Sequence, residues 1–278
     1  NMFLELLEKL RNSGVENVIN TSTFDVSSLQ QKFERVQYIE DVRSAIFTAY
    51  GIAKISSKPI LAIVDDEYLP NTYTGLTEAW FQRVPVVVLS INSRDKESST
   101  YLERCLDKIS FIDINDSSVK LDDISLSTYG PTLIKTNEVI GNITPIDYSE
   151  IYSSLKDSKY SNCIGFFNSN TNFDGCRNID PKYKYGLISK YVGQLLGESD
   201  NILVITENQL ILDSNIFNFR DMPSKFKLIV KVTDHVYWNK FNGWLSSNEI
   251  NVIDLTSNNE STNLINALDN CPVAILTR

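Results

Sequence analysis

Histidine is almost absent from this sequence: among 278 residues there is one, His235. The four cysteines, Cys105, Cys163, Cys176 and Cys271, are too far apart to form a C-x-x-C pair. These two facts argue against a zinc constellation, and a reduced, cytoplasmic chain with ordinary buried or half-buried thiols is expected. Glycine motifs are missing too. There is no G-x-x-x-x-G-K-[ST] phosphate loop, no G-x-G-x-x-G after a strand and no G-x-S-x-G elbow. A Ser-His-Asp triad would have to use His235, in "VTDHVYWNKF". That residue has the chemistry of a general acid or base near neutral pH, but no partner is visible beside it, and a structural or surface role is the alternative. The longest apolar runs are five or six residues, so no segment is expected to span a membrane.

Positive charge is also scarce. Lys and Arg number 26 against 35 Asp and Glu, a formal net charge of −9. That balance repels phosphate backbones and anionic lipid, so nucleic acid and membrane surface are not expected as partners. With 35 carboxylates, a catalytic pair of acids cannot be singled out by inspection.

What is present is the composition of a folded globular protein, 42% hydrophobic and 10% aromatic, at a length that favours two domains. The opening "NMFLELLEKL" is amphipathic and acidic without a basic flank, and reads as a first helix and not as a signal peptide. Helix and strand periods then alternate. "VENVIN", "VQYI", "PILAIV" and "PVVVLSI" read as strands; "SSLQQKF", "DVRSAIFTAYGIAK" and "TYTGLTEAWFQR" read as helices. A further strand is expected at Pro131 to Lys135. Continuous apolar strands separated by helices imply a parallel sheet covered on both faces, a doubly wound α/β fold. Residues 1–142 are assigned to this domain, with some six strands. Residues 143–180, rich in Asn, Ser, Asp and Tyr, read as a connector with one strand at "NCIGFF". A second, smaller α/β unit is expected over 181–278, from helix "KYGLISKYVGQLLG" through strands "NILVIT", "FKLIVKV" and "INVIDL" and helix "STNLINALDN" to strand "PVAILT". No internal repeat is evident, although the halves end alike, in "GPTLIKT" and "CPVAILT".

The stretch from Tyr38 to Ser90 carries an ordered set of short motifs. These are Ala49, Gly51, Ala53 and Lys54 in one helix, then Ser57-Lys58-Pro59, a buried strand, Asn71, Thr74-Gly75-Leu76, Ala79, and the strand from Pro85 to Leu89. In order and spacing this resembles the pyrimidine-binding domain of thiamine-diphosphate-dependent enzymes, nearest in pattern to the acetolactate synthase and pyruvate decarboxylase group. The resemblance covers roughly residues 1–140. It implies thiamine diphosphate with Mg²⁺ as cofactor, decarboxylation or carboligation of 2-oxo acids, and a homodimer or hetero-oligomer with a family relative. Three features of the residues have their own physical reading. Gly51 would permit close helix–sheet packing. Asn71 would cap the next helix. Gly75 and Ala79, four apart, would make a smooth face for a neighbouring helix or subunit.

Three departures from the family pattern bear on function. The family's glutamate, which bonds the pyrimidine ring, falls on Val42, nine residues before Gly51. A valine cannot accept that charge-assisted bond, worth roughly 1.5–3 kcal/mol. Glu40 and Asp41 are the carboxylates that a small change of register would supply, and otherwise read as favourable charge at a helix N-terminus. Next, the family's Gly-Pro-Gly loop falls on Asp66-Glu67-Tyr68, two acids and a bulky ring where backbone should approach the cofactor. Last, the Gly-Asp-Gly segment that helps hold Mg²⁺ is missing between Lys182 and Arg278, so the second unit reads as a reduced diphosphate-binding-type domain and no metal ligands are assigned. Three readings follow: a non-catalytic or regulatory homologue that has lost autonomous cofactor binding; a subunit of a thiamine-diphosphate-dependent decarboxylase or carboligase completed by a partner chain or a further segment; or an unrelated α/β binding protein.

Overall fold

The computed structural model describes residues 2–22, 26–92, 109–137, 146–161, 164–168, 173, 177–179, 185–197, 200–213, 223–233, 238–239, 252–254, 261–270 and 273–276. His235 and the four cysteines lie outside them. The chain divides into two units, Asn1–Ile143 and Thr144–Arg278.

The first unit opens with α1 (Met2–Asn12), whose Phe3, Leu6, Leu7 and Leu10 recur at helical spacing and are all buried. Gly14, at φ 98°, follows this helix in a conformation that side chains other than glycine's resist. The elements that follow are β1 (Asn17–Asn20), α2 (Val26–Gln30), β2 (Arg35–Tyr38), α3 (Val42–Ser56) and β3 (Ile60–Asp65). A 3₁₀ turn over Asp66–Thr72 leads into α4 (Tyr73–Phe81), and β4 (Val86–Ile91), β5 (Ser110–Asp113), a short 3₁₀ turn over Leu121–Asp123 and β6 (Thr132–Lys135) follow among the described residues. The six strands form one parallel sheet in the order β2-β1-β3-β4-β6-β5.

Side chains alternate across a strand, and the central strands β3, β4 and β6 are buried on both faces. Leu61 and Ile63 of β3, with Val87, Leu89 and Ile91 of β4 and Ile134 of β6, join the apolar face of α1 in one core cluster. Their neighbours Ile60, Ala62, Val64, Val86 and Val88 are equally buried, and α3 packs on β3 on that other side. The all-apolar runs of β3 and β4 follow directly from this double cover. β2 is an edge strand, and it is mostly exposed.

The second unit contains α5 (Ser149–Lys156), β7 (Ile164–Asn168), β8 (Arg177–Ile179), α6 (Leu187–Leu196), β9 (Ile202–Thr206), α7 (Glu207–Leu212), β10 (Leu228–Lys231), β11 (Val252–Asp254), α8 (Ser261–Asn270) and β12 (Val273–Leu276). Its sheet has the order β8-β7-β9-β10-β12-β11, again parallel throughout. Numbering the strands of each unit from its own first strand gives 2-1-3-4-6-5 twice. The similar endings "GPTLIKT" and "CPVAILT" are therefore the two equivalent strands β6 and β12, each the sixth of its sheet.

The stretch 143–180, expected to be a connector, instead supplies α5 and two strands of this second sheet. Tyr148, Ile151 and Leu155 of that segment pack in one core with Ile202, Val204, Ile229 and Leu268. Its polar composition had concealed an element with one buried face and one wet one.

Candidate functional site

All strands of a parallel sheet end on the same edge, so the residues that follow them converge there, and α/β proteins take their ligands at that carboxyl edge. In the first unit the edge is lined by Asn20, Thr21 and Ser22 after β1 and by Glu40 and Asp41 after β2. Asp65 to Tyr68 follow β3, Ser90 to Asn92 lie at the end of β4, and Lys135 and Thr136 at the end of β6.

Polar groups here are buried and committed to one another. Asn20 Oδ1 accepts from Ser22 N at 3.0 Å and Ser22 Oγ at 2.7 Å. Thr21 Oγ1 donates to the Ile63 carbonyl at 2.8 Å. Asp65 Oδ1 accepts from Asn92 Nδ2 at 2.6 Å. At the centre, Asp66 Oδ1 accepts from Ser90 Oγ at 2.7 Å and lies 3.9 Å from Lys135 Nζ. Asp66 is 3% exposed, Ser90 0% and Lys135 5%. The register of the sheet places Val64 opposite Ser90 and Ser90 opposite Lys135, which brings the three side chains to one point.

Tyr68 is half-buried in the same turn. Burial, followed by the charge of Glu67 and Asp65, a hydrogen bond to Glu67 and the charge of Glu40, holds its hydroxyl protonated well above the ordinary tyrosine range. The structure thus brings Glu40, Asp65, Glu67 and Tyr68 within electrostatic reach of one another.

The remaining candidates are placed differently. Val42 opens α3 with its side chain fully buried in the core. Asp41 is the N-cap of that helix, its carboxylate accepting from Ser44 N at 3.2 Å, and Glu40 accepts a hydrogen bond from the Tyr38 hydroxyl. Of the two register alternatives, Asp41 therefore serves its helix end. Gly51 is exposed, and a Cβ there would meet no atom within 4 Å, so it does not mediate close helix–sheet packing. Asn71 lies inside the 3₁₀ turn; α4 begins at Tyr73 with Thr72 at the cap position and no capping side chain, so the expected Asn71 cap does not form. Gly75 and Ala79 are buried, and a Cβ on Gly75 would lie 2.5 Å from Ile46 Cγ2, so their smooth face receives α3 of the same chain.

Sequence reading missed Ser90 and Lys135. A lysine at the end of the otherwise apolar strand "TLIK" was the available signal, because a buried ammonium requires an acceptor or a counter-charge.

These residues do not fit thiamine diphosphate held in the family's manner. The position expected to supply a carboxylate to the pyrimidine ring presents a core valine. The turn expected to be glycine-lined carries a buried carboxylate engaged by Lys135 and Ser90. Among the described residues no group of three or more His, Cys, Asp or Glu side chains is placed to hold a metal ion, and no helix is long and apolar enough to cross a membrane.

Comparison with known proteins finds sequence similarity over part of the chain. No family model matches the chain. It is 33% identical over 92 residues to a 2-succinyl-5-enolpyruvyl-6-hydroxy-3-cyclohexene-1-carboxylate synthase of Shewanella oneidensis. It is 32% identical over 93 residues to the enzyme of the same name from Enterococcus faecalis. Each match takes in 31% of this chain and 16% of the relative, so the matched part is a small fraction of those proteins. Among solved structures, the thiamine diphosphate-dependent 4-hydroxybenzoylformate decarboxylase of Rhodococcus jostii RHA1 aligns over 85% of this chain and 57% of its own, at 10% identity and a TM-score of 0.37, too slight a likeness to argue from. The resemblance to thiamine-diphosphate-dependent enzymes stands on the sequence matches.

Proposed function

We propose that this relative of the thiamine-diphosphate-dependent enzymes has given up autonomous cofactor binding and acts as a non-catalytic or regulatory homologue. One observation carries the reading: Asp66, where the family pattern keeps a glycine, is buried against Ser90 and Lys135 at the carboxyl edge of the sheet. A second negative charge from Glu67 and the ring of Tyr68 occupy the same turn, which disfavours a diphosphate in a low-dielectric cleft. The buried Val42 adds to this, since it offers no acceptor to a pyrimidine.

In this reading the second unit is a diphosphate-binding-type domain without its Gly-Asp-Gly segment, and the partner is a second copy or a catalytic relative. Phe47 and Ile55, 42% and 89% exposed, lie on one stripe of α3 with the exposed Gly51 between them, an apolar surface suited to such a partner.

A thermal-shift titration with thiamine diphosphate and Mg²⁺ tests the proposal. A ligand at a hundred times its Kd stabilises by about 2.7 kcal/mol. No shift is expected at millimolar cofactor. Ordinary micromolar binding by the chain alone overturns the reading and favours the subunit of a 2-oxo acid decarboxylase or carboligase instead. A monomer in sedimentation equilibrium at tens of micromolar, with or without a catalytic relative, removes the partner half of the proposal.

A further inference from the structure

The cluster at the carboxyl edge has the make-up of an anion site that is already filled. Lys135 Nζ and Ser90 Oγ converge on one oxygen, Asp66 Oδ1, at 3.9 and 2.7 Å. A cation and an O–H donor aimed at one point, at the edge where parallel sheets take ligands, are the elements of carboxylate recognition. The anion they hold is supplied by the chain. Asp66 is also the first residue of the 3₁₀ turn that runs to Thr72, so whatever fastens Asp66 fastens the start of that turn to β4 and β6.

The second unit repeats the carboxylate–hydroxyl part of the arrangement, without the lysine. Glu207 follows β9, the third strand of its sheet, as Asp66 follows β3. It is fully buried and accepts from Thr233 N at 2.9 Å and from Thr233 Oγ1 at 2.6 Å. Thr233 lies two residues past β10, the fourth strand, as Ser90 lies at the end of β4. Both units therefore tie a buried carboxylate after the third strand to a hydroxyl at or just past the end of the fourth.

We propose that Asp66, Ser90 and Lys135 form an internal latch, in which the chain's own carboxylate takes the place of a ligand's anion and closes the carboxyl edge of the first sheet. The inference rests on the reading that this chain has lost autonomous cofactor binding, and it names the contact that keeps the site shut.

Two linked measurements test it. In a double-mutant cycle of Asp66→Asn and Lys135→Met, followed by urea unfolding of the full chain, each single change is expected to lower the folding equilibrium constant on the order of 100-fold. The double variant is expected to lose far less than the product, because it removes the pair instead of orphaning one charge. In the second measurement, sodium formate is compared with sodium chloride at equal ionic strength. At about ten times its Kd, formate is expected to raise the melting temperature of Asp66→Gly by about 3 °C or more. Wild type and Asp66→Gly/Lys135→Met should not respond. A cycle that is multiplicative within about twofold overturns the latch. So does a formate response that persists without Lys135, or none in a folded Asp66→Gly. If Asp66→Gly does not fold, the cycle alone decides. Micromolar thiamine diphosphate binding by wild type alongside a coupled cycle would defeat the functional reading and leave the latch. A multiplicative cycle with no cofactor binding would do the reverse.

Discussion

Gly75 and Gly51 offer the same substitution, glycine to alanine inside a helix of the first unit, with opposite expected signs. At Gly75 the new Cβ would lie 2.5 Å from Ile46 Cγ2 and 3.0 Å from Ile46 Cβ. Carbon atoms rest at about 3.5–4.0 Å, so the neighbour must retreat by about 1 Å. Ile46 has no room to do so: it is fully buried, and a β-branched residue in a helix holds one strongly preferred rotamer. Overpacking of this kind costs about 1–3 kcal/mol, and the loss of glycine's flexibility returns about 0.5–1 kcal/mol. The net is a destabilisation of about 1–2 kcal/mol, or about 3–7 °C in melting temperature for a unit of this size. At Gly51 nothing lies within 4 Å of the new methyl group, so only the helix-propensity gain remains, about 0.5–1 kcal/mol in the stabilising direction. Urea unfolding followed by tryptophan fluorescence, to which Trp80 of α4 contributes, and by circular dichroism measures both. Ile46→Ala clears the Cγ2 atom, so Gly75→Ala should cost about 1 kcal/mol less in that background. A Gly75→Ala chain as stable as wild type, or additive with Ile46→Ala, would refute the close packing of α3 against α4.

Two further outcomes are expected from the second unit. Glu207→Ala removes the acceptor of the Thr233 amide and hydroxyl in a fully buried place and should destabilise by about 1–3 kcal/mol, visible as a lower urea midpoint, with Glu207→Gln milder. The exposed Asp269 carboxylate is held below its ordinary value of 3.8 by hydrogen bonds from Lys159 at 2.5 Å and Tyr160 at 2.5 Å. A depressed folded-state pKa means that its contribution is present above the unfolded value and is lost as pH falls through the folded one. Carboxyl-carbon NMR should therefore show Asp269 titrating below 3.8 in wild type and moving upward in Lys159→Met; an unchanged midpoint would remove the ion pair as the cause.

The parts of the fold that were legible are those whose burial leaves no choice of residue. β3 and β4 are covered on both faces and so read as unbroken apolar runs; α1 and α3 expose one side and so show helical spacing. β5, in "SFID", and β8, in "RNI", escaped because they are short and carry two and one apolar residues, whereas the equally short edge strand β11 lies within the apolar run "INVIDL". The six-residue α7 was missed because its capping box, Thr206 with Gln209, is a signal shorter than any periodicity window. The site was legible as a location and not as a set of bonds. Asp66 stood out against a family pattern of glycine, whereas its partners come from strands 24 and 69 residues further along, and only the sheet register joins them. Gly51 and Gly75 show the same limit from another side: both lie in helices, and only the neighbouring helix distinguishes a glycine that is required from one that is not.

The strand order of the first sheet has a consequence for how the chain assembles. β6 lies between β4 and β5, although it is the last of the three to be synthesised. Until Thr132–Lys135 leave the ribosome, β4 presents an open rail and β5 has no strand to dock on. The keystone arrives last, and with it Lys135, the counter-charge of Asp66. Closure of the sheet and neutralisation of its buried acid thus happen in a single insertion, so a nascent chain halted short of Thr132 is both unzipped and electrostatically incomplete.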